Sequence, residues 1–244
     1  MGFEFDEWYD DANEDVSEIN EILSEGSVGI EFYEHTVTHE ADGLIREQIL
    51  TNKIGEVEEG KESIIGEPLE DMEHWHLQGE MRSCVISCQE FMAEGLLNKE
   101  FDEKALIHFA EERGWYENGT TCNDAGNILE YLGLDVESQF DCEMDDIEDV
   151  LESGGKVMVS VNNHLLANPE LSILPFWDAN HAVEVIGIDK SNEDHIKVIL
   201  NDPGVENGCG IEHDLDDFME AWESGGNFMI GAFVNSITGP SMGV

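Results

Sequence analysis

Gln78-Gly79-Glu80-Met81-Arg82-Ser83-Cys84 sets a side-chain amide six residues ahead of a thiol. The thiol opens an apolar stretch, Cys84 to Leu97, in which Ile86, Phe91 and Leu96-Leu97 are among the apolar positions. The spacing predicts a helix over 84–97 whose first turn carries Cys84. That placement has chemical content. A free thiol near neutral pH is mostly protonated, and the partial positive charge of a helix N-terminus favours the thiolate, as does a nearby imidazolium.

Working outward, Asp102 is a good N-cap for a second helix through Arg113, which Gly114 stops. Thr121 or Asn123 caps a third helix through Leu132, ended by Gly133. A fourth begins at Asp145 and finishes before Gly154-Gly155. Strands follow over Lys156 to Val161, Ala182 to Asp189 and His195 to Leu200. Ser191-Asn192-Glu193 is a turn signal, so the last two are expected to form a hairpin. A helix from Leu215 to Glu223 and a strand from Phe228 to Val234 complete the order. Helices first and antiparallel strands later indicate an α+β fold, with an N-terminal helical layer packed on a C-terminal antiparallel β-sheet.

Two further segments supply partners for the thiol. Asn180-His181-Ala182-Val183 puts an imidazole at the start of one strand, and Asn201-Asp202-Pro203-Gly204 puts a carboxylate just after the next. If the two strands pair, Asp202 reaches the outer nitrogen of His181 and fixes its tautomer. The Gln78 amide and the Cys84 backbone N–H are then candidate donors to a developing oxyanion. Cys88, one helical turn after Cys84, is the rival thiol, and Asn201 is the rival group for orienting His181.

This ordered set resembles the papain-like cysteine peptidases. More narrowly, it is similar to the bacteriocin-processing, double-glycine leader peptidase group and its stand-alone relatives. Gly114-Trp115-Tyr116, Asn201-Asp202-Pro203-Gly204 and Leu215-Asp216-Asp217-Phe218 with Ala221-Trp222 add to the likeness, which spans about residues 70 to 235. The resemblance implies a Cys84 nucleophile, a His181 base, an orienting Asp202 and an oxyanion donor at Gln78. It implies hydrolysis of a peptide or protein substrate, with small residues before the cleaved bond and no cofactor or metal. Val85-Ile86 stands where relatives carry a small pair after the Cys. That difference motivates an alternative: a catalytically silent domain of the same fold that binds peptides or partner proteins.

The chain's 57 Asp and Glu against 10 Lys and Arg give a formal net charge of -47 over 244 residues. Such a surface repels phosphate backbones and anionic membranes, so neither nucleic acid nor a membrane surface is an expected partner. No apolar run approaches a membrane span, and Met1 to Asp6 lacks the basic-then-apolar pattern of a signal peptide, so the expected location is cytoplasmic. Five Cys residues at non-zinc spacings fit free thiols in a reducing compartment, with Cys122, Cys142 and Cys209 expected to be structural. Residues 1–70 read as an acidic N-terminal extension of unknown role and 71–244 as the peptidase-like domain. Within the extension, Val16, Ile19, Ile22 and Leu23 have helical spacing, Ile30 to Thr38 is strand-like and Gly60 to Pro68 reads as loop. His35 with His39 and His74 with His76 lack the partners of a zinc site, and Asp141-Cys142-Glu143-Met144-Asp145 lacks the Gly and terminal Glu of a calcium loop. Trp115, Trp177 and Trp222 are expected in the core, Trp177 also being placed to line a cleft. The sequence does not set the oligomeric state.

Overall fold

A computed structural model of the protein describes residues 63–167 and 180–235. The helix and strand expected within residues 1–62, the His35–His39 pair and Trp177 lie outside the described residues. In chain order the elements are strand β1 (Ile64–Gly66) and helix α1 (Pro68–Asp71), then α2 (Cys84–Leu97), α3 (Glu103–Arg113) and α4 (Asn127–Tyr131). Strand β2 (Asp135–Gln139) precedes α5 (Met144–Glu152), β3 (Lys156–Val161) and α6 (Asn163–Ala167). The hairpin strands β4 (His181–Asp189) and β5 (Lys197–Asn201) lead to β6 (Ile211–Asp214), α7 (Leu215–Glu223) and β7 (Met229–Phe233).

The strands form one sheet in the order β2-β7-β3-β4-β5-β6, with every pairing antiparallel; β1 adds to β4 off that path. Strand β4 is buried along its whole length, because β3 and β5 flank it and helices cover both its faces. Alternation along the strands divides the core. Val157, Val159, Val161, Val183 and Val185 face α5 and α7, where Ile147, Phe218 and Trp222 pack. Met158, Ala182 and Ile230 face the other way, onto Cys84, Cys88 and Met92 of α2. The α+β architecture is therefore as the sequence indicates, with one addition: α5 and α7 cover the face opposite the N-terminal helical layer. The β4–β5 pairing shifts register between Val185 and Gly187, a β-bulge in the strand that begins with His181.

Three local expectations are corrected. The segment Gly60 to Pro68, read as loop, contains β1, whose Ile65 pairs with Ile188, so the sheet recruits residues on the extension side of position 70. The third helix is short: Thr121 starts a turn and the helix proper begins at Asn127, where Gln89 Oε1 on α2 accepts the backbone N–H groups of Gly126 and Ile128. That long-range cap does what a local N-cap would have done. Strand β5 begins at Lys197, since His195 belongs to the preceding turn. The second helix has its Asp102 cap as expected, accepting from the Ala105 N–H at 2.9 Å. No helix among the described residues is long and apolar enough to cross a membrane.

Candidate active site

Cys84 is the first residue of α2 and is buried, 8% exposed. Its approach segment is held by a residue on the next helix. The Glu103 carboxylate accepts the Gly79 N–H, the Ser83 hydroxyl and the Ser87 hydroxyl, each at 2.7 Å. One buried acid therefore ties the loop after Gln78 to the first turn of the thiol helix. In the sequence Glu103 looks like an ordinary acidic residue in a helix's first turn, so its reach across 20 positions left no signal there.

His181 sits opposite Val161 at the end of the β3–β4 ladder, which places its ring over the start of α2. Its Nε2 lies 2.6 Å from Asp202 Oδ1, and both side chains are buried. Asp202 is fixed in turn: its backbone N–H donates to Gly208 O, its carbonyl accepts the Trp75 indole N–H at 2.7 Å and its carboxylate accepts the Gly204 N–H at 2.7 Å. Gly204 is a glycine because the ring needs the space: a Cβ there would lie 2.7 Å from His181 Cε1. The imidazole also interacts with the Cys84 thiol, through a hydrogen bond and through its charge.

The electrostatics follow from this packing. Burial pushes the Cys84 thiol up. The hydrogen bond and charge of His181, with backbone hydrogen bonds at Ala182 and Val85, outweigh it and hold the thiol below its ordinary range. Burial pulls His181 down, but its hydrogen bonds to Asp202 and Cys84 raise it to about 10. Both shifts act in the direction of a thiolate facing an imidazolium. The rival groups are otherwise engaged. Cys88 is fully buried, and burial together with the charges of Cys84, Glu184 and Asp202 pushes its thiol well up. Asn201 donates to Asp71 O and to Glu184 Oε2, away from His181.

Gln78 lies beside this group through its backbone, whose N–H donates to Pro203 O at 2.9 Å. Its side-chain Nε2 donates to Glu80 O at 2.8 Å, while Oε1 is buried with no hydrogen-bond partner. An amide has two N–H donors, so one is left. Cys84 and His181 open onto a cavity of about 580 Å³, with Met158 and Phe228 on one side and the Asn118–Cys122 loop on another. Cys122, expected to be structural, is instead exposed and lines this cavity. Cys142 and Cys209 are buried as expected. Val85 lines the cavity too, whereas Ile86 is directed into a separate core with Leu106, Ala110 and Ile128. The β-branched pair is thus split between two environments. His74 and His76 face Glu94 and Glu90, and no group of metal-ligating side chains exists among the described residues.

No protein-family model matches the chain, and no curated protein matches it. Among solved structures, the chain is similar to a C39-like peptidase from Bacillus anthracis, with a TM-score of 0.53 and 16% identity over 72% of this chain and 100% of that one. At that identity the likeness shows the papain-like peptidase fold. The peptidase domain of Streptococcus ComA, a bi-functional ABC transporter of a quorum-sensing pathway, aligns with a TM-score of 0.46 and 15% identity, over 66% of this chain and 98% of that one. The stem bromelain precursor aligns with a TM-score of 0.35 and 11% identity, over 91% and 99%.

Proposed function

We propose that this peptidase-fold domain is a cysteine peptidase acting on a peptide or protein substrate. The observation that carries the reading is the buried His181, bridging Cys84 in the first turn of α2 to Asp202 beside an open cavity. In the proposed reaction the Cys84 thiolate attacks the scissile carbonyl, and the Cys84 N–H and the Gln78 amide receive the oxyanion. The C–N bond breaks as the His181 imidazolium protonates the leaving amine, which leaves a thioester. Neutral His181 then takes a proton from water, the hydroxide oxygen displaces the thiolate, and the carboxylic acid departs. Asp202 keeps the imidazole in the orientation and tautomer that both transfers need. The chemistry calls on no metal or cofactor. Incubation with a peptide mixture, read by mass spectrometry for Cys84-dependent products, tests the proposal.

Gln78 gives a sharper test. Gln78→Ala is expected to lower kcat by about 10²–10³, the usual effect of losing one oxyanion donor, with KM little changed. An unchanged kcat would remove Gln78 from the reaction. One observation favours a second reading, in which the domain binds peptides without cleaving them: the Gln78 amide already donates to Glu80 O. Under that reading Cys84 still alkylates readily, but no peptide is turned over.

A further inference from the structure

The cavity beside Cys84 has a charge unlike that of the chain around it. Among the described residues that line it there is no Asp or Glu, although Asp and Glu make up 57 of the 244 residues of the chain. Its lining instead includes Arg82, two positions before the thiol, and His181. The polar groups between them are neutral, among them Asn118, Thr121 and Ser160.

Arg82 is held there at some conformational expense. Its φ is 89°, in the left-handed region that non-glycine residues seldom occupy. Such outliers persist where the surroundings over-determine them, and they concentrate at sites that bind ligands. The exposed side chain donates through Nη1 to Asn118 O at 3.4 Å, on the cavity's loop wall. No carboxylate among the described residues lies within ion-pair distance of it. Elsewhere in this acid-rich chain Lys156, Lys190 and Lys197 each pair with one. A guanidinium that has no carboxylate partner, and lines a cleft without a carboxylate, among the described residues is a ready partner for an anion of planar, two-oxygen geometry.

We infer that the cavity takes a peptide segment bearing a carboxylate and that Arg82 recognises that group; the inference rests on the peptidase reading. The carboxylate is either an Asp or Glu side chain near the scissile bond or the free C-terminus of the substrate. The surrounding surface repels anions, so preference falls on one carboxylate position and not on acidic peptides in general. Further acidic residues outside the cleft slow cleavage, and added salt relieves that effect.

The test uses the full chain and peptide libraries in which each position near the cleaved bond is fixed in turn as Glu, Gln or Lys. Each library is made with a C-terminal acid and a C-terminal amide. The parent is expected to prefer Glu over Gln at one position by about tenfold in kcat/KM, a modest value for a charge-assisted hydrogen bond in an open cleft. An equal preference for the acid over the amide end would identify the C-terminus as the source. Arg82→Gly, whose backbone suits a positive φ, is expected to bring the ratio to about one whatever its absolute rate, and Arg82→Glu to favour Lys. Binding of the same peptides to the Cys84→Ala protein gives the ratio free of turnover. Equal cleavage of Glu and Gln libraries together with equal cleavage of acid and amide ends, or a ratio that survives in Arg82→Gly, overturns the inference alone. No cleavage of any library by the parent overturns the peptidase reading and this inference with it.

Discussion

The Cys84→Ala protein is expected to lose peptide cleavage by roughly 10⁴–10⁶-fold while keeping its fold, the scale seen when a nucleophile is removed from a site that acts as a unit. The loss is large because no second thiol can substitute. Cys88 is fully buried and carries a strongly raised thiol, held against the core face of α2. Cys122 lines the cavity but has no imidazole partner among the described residues. The fold should survive because a Cys-to-Ala change removes one sulfur at the border between core and cavity. Cleavage rates and urea unfolding measured on the same preparation check both halves. Full activity in this variant would end the peptidase reading.

The second large effect belongs to His181→Ala, and pH reveals its origin. In the parent, Cys84 is held below the ordinary thiol range, so alkylation by iodoacetamide stays fast as pH falls below the free-thiol value of about 8.5. The rate declines only when the pH passes below the depressed Cys84 value. Without the imidazole, only the backbone hydrogen bonds at Ala182 and Val85 oppose the effect of burial on the thiol. The alkylation profile should move to the alkaline side of the parent's, with cleavage falling by roughly the same factor as in Cys84→Ala. Identical profiles for the two proteins would show that His181 does not set the thiolate. The same interaction bears on stability. His181 is raised from 6.5 to about 10, so its contribution is complete below pH 6.5 and is lost as pH rises through about 10.

Much of this arrangement was legible in the chain, for identifiable reasons. Helix α2 announces itself by an apolar run with a clear beginning, and β4 by the segment Ala182 to Ile188, in which Glu184 alone is polar. The order Gln78, Cys84, His181, Asp202 needed only the pairing of β4 with β5, which the turn at Ser191-Asn192-Glu193 implies. The parts that escaped lack such signals. Strand β2, Asp-Val-Glu-Ser-Gln, is an edge strand with mostly exposed side chains, and its pairing with β7 spans a long stretch of chain. Strand β6 runs straight into α7 without a turn, and β1 is only three residues long. Among the site's supporting residues, neither Glu103 nor Gly204 carries a signal of its role in the sequence. Their contacts with Gly79 and His181 come from tertiary approach and not from spacing. Arg82 was silent for a different reason: its positive φ belongs to a residue type that seldom adopts one.

The bulge in β4 has a consequence for how this domain tolerates changes in length. Between Asp189 and Gly187 the hairpin pairs one for one with Lys197 to Ile199; after the bulge, Val185 faces Leu200 and Glu184 faces Asn201. The surplus residue at Ile186 therefore acts as a spacer between the hairpin tip and the imidazole. Insertions or deletions between Ser191 and Asp194 reshape the tip and leave the alignment of His181 with Asp202 untouched. One residue lost at Ile186 would restore an even ladder with Val185 still facing Leu200, whereas one residue lost between Glu184 and His181 would move the imidazole by one place relative to Asn201 and Asp202. Lineages of this chain should vary freely in length at the tip and hardly at all between the bulge and His181.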